Sequence, residues 1–221
     1  MSRVENDWLS FMWLWSYPLR SCPLPANQVV AIAASAGGIE ALSCILEDLP
    51  SDFIAAIVIV LHISPDRRSF LAEILNRRTS LEVKEAVEGA LMCPGMVFTA
   101  PPNHHMLVNP GGILSLSSSE RIHYSRPSAE PLFESVAASY KTQAIGVVLT
   151  GVDSDGSMGI QLIKEMGGKT IAQDESTSQH FDMPRAAIVT GAIDFVLPLN
   201  EIAPTLVKLL SQVEPPFKEA A

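Results

Sequence analysis

Positive charge is what the sequence most lacks. Its 221 residues carry 15 Lys and Arg against 24 Asp and Glu, a formal net charge of −9 and a pI near 5.0. A nucleic-acid backbone is held by a basic stripe, and the densest cationic spots here, Arg67-Arg68 and Arg77-Arg78, are only pairs. Nucleic acid is therefore set aside as a partner. Cysteine is scarce too: Cys22, Cys44 and Cys93 are odd in number and have no metal-ligand spacing, so they read as core thiols of a reducing compartment. No apolar run, Trp8 to Trp15 included, approaches the ~20 residues of a membrane-spanning helix. A secretory leader needs a positive start, and Glu5 and Asp7 offset Arg3. The motif G-x-G-x-x-G is missing, which weakens a dinucleotide fold as the reading. Together these absences lead to the expectation of a cytoplasmic chain without stable membrane insertion, metal or cofactor.

What is present suits a folded enzyme-sized domain, since 48% hydrophobic residues against 18% charged ones is ample for a core. Residues 1–27 hold all three tryptophans and then Pro18, Pro23 and Pro25; they read as a poorly ordered extension, with 28–213 as one domain and 214–221 as a tail. From Gln28 on, strand and helix signals alternate. Val29–Ala34 and Phe53–Leu61 are continuously apolar, as strands covered on both faces are. Ala144–Thr150 is a third such run, and shorter strands are expected at 81–86, 95–100, 169–172 and 193–197. Helices are expected from Ile39 to Leu49, from Arg67 to Arg78 with Phe70, Leu71, Ile74 and Leu75 on one face, and at 131–140, 157–166, 185–190 and after Pro198. Asn109-Pro110-Gly111-Gly112 joins a short antiparallel hairpin near 105–116. The resulting fold is α/β, a doubly wound and mostly parallel sheet with helices on both faces.

In such sheets the site lies beyond the carboxyl ends of the strands. Three chemically capable groups stand there: Ser35 after the first strand, His62 after the second, and Asp153 or Asp155 in GVDSDG after the third. A serine needs a base to take its proton, imidazole is the usual one, and a carboxylate fixes the imidazole's tautomer and stabilises its cation. Gly37 and Gly38 allow a sharp turn after Ser35 that leaves backbone amides free, as an oxyanion hole or a phosphate-binding turn requires. Each residue also has a plain structural reading. Ser35 can be a turn residue or helix cap, His62 a hydrogen-bonded core histidine, and one of Asp153 and Asp155 the cap of the helix starting near Gly156. His104 and His105 are adjacent, point apart and have no spaced partner for a metal. The polar stretch Gln173–Pro184 is a substrate wall or a solvated connection.

At this point the residues resemble a known family, the chemotaxis protein-glutamate methylesterases of the CheB type. The likeness runs from about Val29 to Leu210 through AIAASAGGIEAL, VIVLHISPDRRSFLAEIL, APPNHHM, RPSAEPLFES, VVLTGVDSDGSMGI and TIAQDESTSQHFDMPRAAI. It implies Ser35 as nucleophile, His62 as base and Asp155 as the carboxylate that orients it. Ala36, Gly37, Gly151, Val152 and Met183 would surround the oxyanion and substrate. The implied activity is hydrolysis of glutamate γ-methyl esters on chemoreceptor helices, with deamidation of glutamine as a related reaction. The implied partners are those helices, with a methyltransferase or a separate response regulator beside them. A fold-retaining but inert module that binds a receptor or signalling partner is the alternative. Two departures stand out: Ala33-Ala34 precede Ser35 where the family usually has Gly-Ala, and Ala36 replaces a common threonine. The receiver domain that often precedes the esterase has no room in 27 residues. As base, His62 should titrate around its ordinary value of ~6.5.

Overall fold

A computed structural model describes residues 24–63 and 68–212. Most of the expected extension and the tail lie outside them. Nine strands and six helices follow one another among the described residues: β1 (Val29–Ala34), α1 (Gly38–Glu47), β2 (Ala56–Leu61), α2 (Leu71–Asn76), β3 (Glu82–Glu85), β4 (Met96–Thr99), β5 (His105–Asn109), β6 (Ile113–Ser117), α3 (Ala129–Tyr140), β7 (Ala144–Val148), α4 (Ser157–Glu165), β8 (Lys169–Gln173), α5 (Asp182–Val189), β9 (Phe195–Leu197) and α6 (Leu199–Ser211). Seven strands form one parallel sheet in the order β3-β4-β2-β1-β7-β8-β9, and β5 pairs with β6 in a separate antiparallel hairpin.

The unbroken apolar runs are explained by what covers them. Along β1, Val30, Ile32 and Ala34 face a core completed by α1, α2 and α6, while Val29, Ala31 and Ala33 face a second core completed by α3, α4, α5 and the hairpin. Every residue of β1, β2 and β7 is buried. A polar residue in any of them would have to give up water on either face, which is why period-2 alternation is lost. The doubly wound architecture with helices on both faces is thus the observed one.

The helix expected over 67–78 is shorter. Only Leu71 and Leu75 of its apolar set are buried, whereas Phe70 and Ile74 are exposed and the Arg68 guanidinium lies over the Phe70 ring. The cysteines also differ from expectation. Cys44 is a half-buried free thiol, raised above its usual pKa by burial and by Asp48 and Glu47. Cys93 is disulfide-bonded, so the reading as three core thiols does not hold; Cys22 lies outside the described residues.

Strand order places the site. From β1 the chain passes to β2, on to the edge strand β3 and back to β4 between them; it later crosses to the other side of β1 and runs outward through β7, β8 and β9. The crossovers therefore diverge between β1 and β7, and a crevice opens at the carboxyl ends of these central strands.

Candidate active site

Ser35, His62 and the loop holding Asp153 and Asp155 leave the sheet at this switch point. Ala34 is in register with Leu61, and the His62 amide donates to the Ala34 carbonyl at 3.1 Å, so Ser35 and His62 emerge side by side from neighbouring strands. On the other side the Ser35 amide donates to the carbonyl of Thr150 at 2.9 Å. Ser35 is half-buried, and the turn after it is made by Gly37 at φ 78°, a left-handed conformation that costs an L side chain roughly 1–2 kcal/mol.

His62 is held from both ends. Its Nε2 lies 2.7 Å from Asp155 Oδ2 and its Nδ1 lies 3.1 Å from Asp153 Oδ2, with its side chain 12% exposed. Burial alone would lower the pKa of the imidazole. The hydrogen bonds and charges of Asp153 and Asp155 outweigh it and push the group up to about 9, well above the ~6.5 expected of a free base. Asp153, which burial alone would raise, is held below the usual carboxylate range by His62 and by the Asp155 amide.

The two carboxylates are built differently. Asp155 is buried; Oδ1 accepts from Ser128 Oγ at 2.6 Å, and Oδ2 accepts from the Ala129 amide at 2.6 Å as well as from His62. It therefore serves the first turn of α3, where unpaired amides and the helix dipole favour negative charge. The expectation that one of the aspartates caps the helix starting near Gly156 is corrected here: α4 has no side-chain cap at Gly156, and its Met158 and Gly159 amides donate instead to Glu130 of α3. The acceptor for each helix start comes from the other helix's neighbourhood, which locks α3 to α4. Asp153 accepts only the Asp155 amide within its own loop, at 3.0 Å, besides touching His62.

The remaining residues fall around Ser35 in distinct ways. A Cβ built on Gly151 would meet Met183 Sδ at 2.0 Å and Ser35 Cβ at 2.9 Å, so Gly151, Met183 and Ser35 form one tight contact. The Gly151 amide donates to the His180 carbonyl, which withdraws it from the set of oxyanion donors; among the described residues the amides of Ala36, Gly37 and Val152 make no hydrogen bond. Gln173–Pro184 is mixed, with Glu175, Ser176, Thr177, Gln179 and Asp182 exposed and Gln173, Met183 and Pro184 buried. Met183 is 1% exposed, and Thr150 Oγ1 donates to the Ala36 carbonyl and accepts from the His180 amide, which ties the serine turn to this loop. Ser128 and Thr150 were not legible as site residues, because each looks in sequence like an ordinary polar residue at the edge of an element. No hydrogen bond joins Ser35 to His62 in this structure. Among the described residues no three His, Cys, Asp or Glu side chains gather for a metal ion; His104 Nδ1 bonds the Pro102 carbonyl, and buried His105 bonds the Glu120 carbonyl and the Ser128 amide.

An open parallel sheet with serine, histidine and aspartate at its switch point defines an α/β domain equipped for acyl-transfer chemistry. The family described as CheB methylesterase matches residues 30–206, and the chain belongs to that family. A Leptospira interrogans chain provisionally named protein-glutamate methylesterase/protein-glutamine glutaminase is 41% identical over 182 residues, 82% of this chain and 94% of that one. A Pyrococcus horikoshii protein-glutamate methylesterase/protein-glutamine glutaminase is 42% identical over 188 residues, 84% of this chain but only 51% of its own length. The crystal structure of the Thermotoga maritima CheB methylesterase catalytic domain superposes with a TM-score of 0.79 at 36% identity, covering 82% of this chain and 98% of that one. No helix among the described residues is long and apolar enough to cross a membrane.

Proposed function

We propose that the chain is a protein-glutamate methylesterase that hydrolyses glutamate γ-methyl esters on the cytoplasmic helices of chemoreceptors, with glutamine deamidation as a second reaction at the same centre. The observation that carries the catalytic assignment is the meeting of Ser35, His62 and Asp155 at the ends of three adjacent strands, within a sequence that matches the family over 30–206. Ser35 Oγ attacks the ester carbonyl as His62 takes its proton. The tetrahedral oxyanion is met by free amides drawn from Ala36, Gly37 and Val152, and Met183 forms the apolar wall beside it. Collapse of the intermediate expels methanol, which receives the proton from His62. Water then repeats the sequence on the acyl-serine and leaves a glutamate; a glutamine substrate expels ammonia instead. Asp155 keeps the imidazole oriented and balances its charge. Segment 28–213 is the catalytic unit, and its substrate is a methylated helix.

The test is methanol release from methylated receptor helices by the wild-type chain beside its Ser35→Ala variant. Release that disappears in the variant, with ammonia release from glutamine-bearing helices lost in parallel, is the expected result. Equal release from both chains removes Ser35 as the nucleophile. Release from neither, next to a competent control enzyme, would reduce the domain to a binding module.

A further inference from the structure

We propose that Asp153 is a positioning residue that holds the His62 ring between two carboxylates, so that His62 can serve Ser35 as a base only after Asp153 lets go. The inference rests on the reading of His62 as the base and deepens it. An ionised carboxylate only accepts hydrogen bonds. A histidine with each ring nitrogen against a carboxylate oxygen, at 2.7 and 3.1 Å, must therefore carry a proton on both. Such an imidazolium has no lone pair with which to take the serine proton, which agrees with the missing Ser35–His62 hydrogen bond. One contact has to break before the first chemical step.

The two contacts are unequal, and the inequality selects Asp153. The Asp155 side chain is fully buried and held by Ser128 Oγ and the Ala129 amide, so moving it would strip the start of α3. The Asp153 side chain is 32% exposed, its contact with His62 is the longer one, and its other bond is a short-range one to the Asp155 amide. It also lines an open groove with Val152, Ser154, Asp182 and Arg185. The charged groups bearing on His62 among the described residues are Asp153 and Asp155, both from the β7–α4 loop; His123, in the loop before α3, bears on Asp153. The upward shift of His62 to about 9 follows from this double contact.

The experiment follows the His62 ring proton by NMR from pH 5 to 10 in the wild type, Asp153→Asn and Asp153→Ala, with the resonance assigned through His62→Gln, and records ester hydrolysis over the same range. The wild-type midpoint should lie well above ~6.5, and both Asp153 variants should lower it by roughly one unit or more, the usual effect of removing an opposite charge. The acid limb of the rate profile should move with it, so that hydrolysis at pH 7 rises roughly tenfold. A midpoint unchanged in the variants overturns the proposal, as does a rate that falls at every pH with its limb in place. A wild-type midpoint at or below ~6.5 overturns it even if no variant folds. Because the titration needs no turnover, hydrolysis that survives Ser35→Ala would refute the nucleophile while leaving this result readable.

Discussion

Asp155→Ala tests the structural claim on which the site depends, because one carboxylate supports a histidine and a helix together. The substitution removes the acceptor for three donors: Ser128 Oγ at 2.6 Å, the Ala129 amide at 2.6 Å and His62 Nε2 at 2.7 Å. Ser128 and Ala129 are 0% exposed, so water does not readily replace the lost oxygen. A buried donor left without a partner costs about 1–3 kcal/mol. The Ala129 amide bears that cost in full, whereas the Ser128 hydroxyl, which also accepts from the Glu130 amide at 3.2 Å, can turn in search of another acceptor. With the weakened hold on His62 added, the total is about 3–5 kcal/mol, the usual consequence of removing one partner of a buried pair. That is a large share of the roughly 5–15 kcal/mol by which domains are stable.

Asp155→Asn separates the two roles. Its side-chain oxygen can still accept from the Ala129 amide, so the stability loss should shrink to about 1–2 kcal/mol, the difference between a charge-assisted and a neutral bond. Ester hydrolysis should nonetheless fall by about 10⁴ in both variants, since an uncharged partner neither fixes the imidazole tautomer nor stabilises its cation. Urea titration followed by far-UV circular dichroism gives the midpoints, which are comparable provided the slope m is unchanged. A loss below about 1 kcal/mol in Asp155→Ala would refute the anchoring argument. Near-normal hydrolysis by Asp155→Asn would remove this residue from catalysis.

Two further outcomes follow. Gly151→Ala places a methyl against Met183 Sδ and Ser35 Cβ, so thermal denaturation should report a loss of about 1–3 kcal/mol and hydrolysis should drop as Ser35 shifts; full activity at unchanged stability would mean that the contact yields freely. For pH, the folded pKa of His62, about 9, lies above its unfolded value of ~6.5, so its stabilising contribution is complete below ~6.5 and disappears as pH rises through about 9. Denaturation measured between pH 6.5 and 9 should show a decline of about 2–3 kcal/mol from this group that His62→Gln lacks, and parallel curves for the two chains would contradict the double contact.

The central strands were legible because double burial is a one-dimensional signal: every residue of Val29–Ala34 must be apolar when both faces are covered. Their carboxyl ends could then be read as the site by the geometry of parallel sheets alone, which is how Ser35, His62 and the GVDSDG loop emerged together. Strand order was not available in this way. Nothing in Ala144–Thr150 says that it returns to pair with β1; that pairing arises from packing across the whole sheet. The Arg67–Arg78 helix is shorter than its pattern suggests for a related reason, since Phe70 and Ile74 fit an apolar helical face but stay exposed among the described residues.

Partner choice within the site was hidden more deeply. Local capping rules assign an aspartate before a helix to that helix, so one of Asp153 and Asp155 looked like the cap of α4. In the folded chain the loop after β7 turns its carboxylate toward α3, whose start at Ser128-Ala129 is 26 residues upstream of Asp155, while Glu130 of α3 supplies the acceptor for α4. The exchange explains why α3 and α4 both contribute to holding His62 although neither carries a proposed catalytic group. It also explains why Asp153, two residues from the anchored carboxylate but outside the exchange, is the one left free to move. Its contact with His62 changes the expected chemistry of the site, and neither spacing nor periodicity could have revealed it, because it depends on the path of a loop whose other carboxylate is fixed by a distant helix.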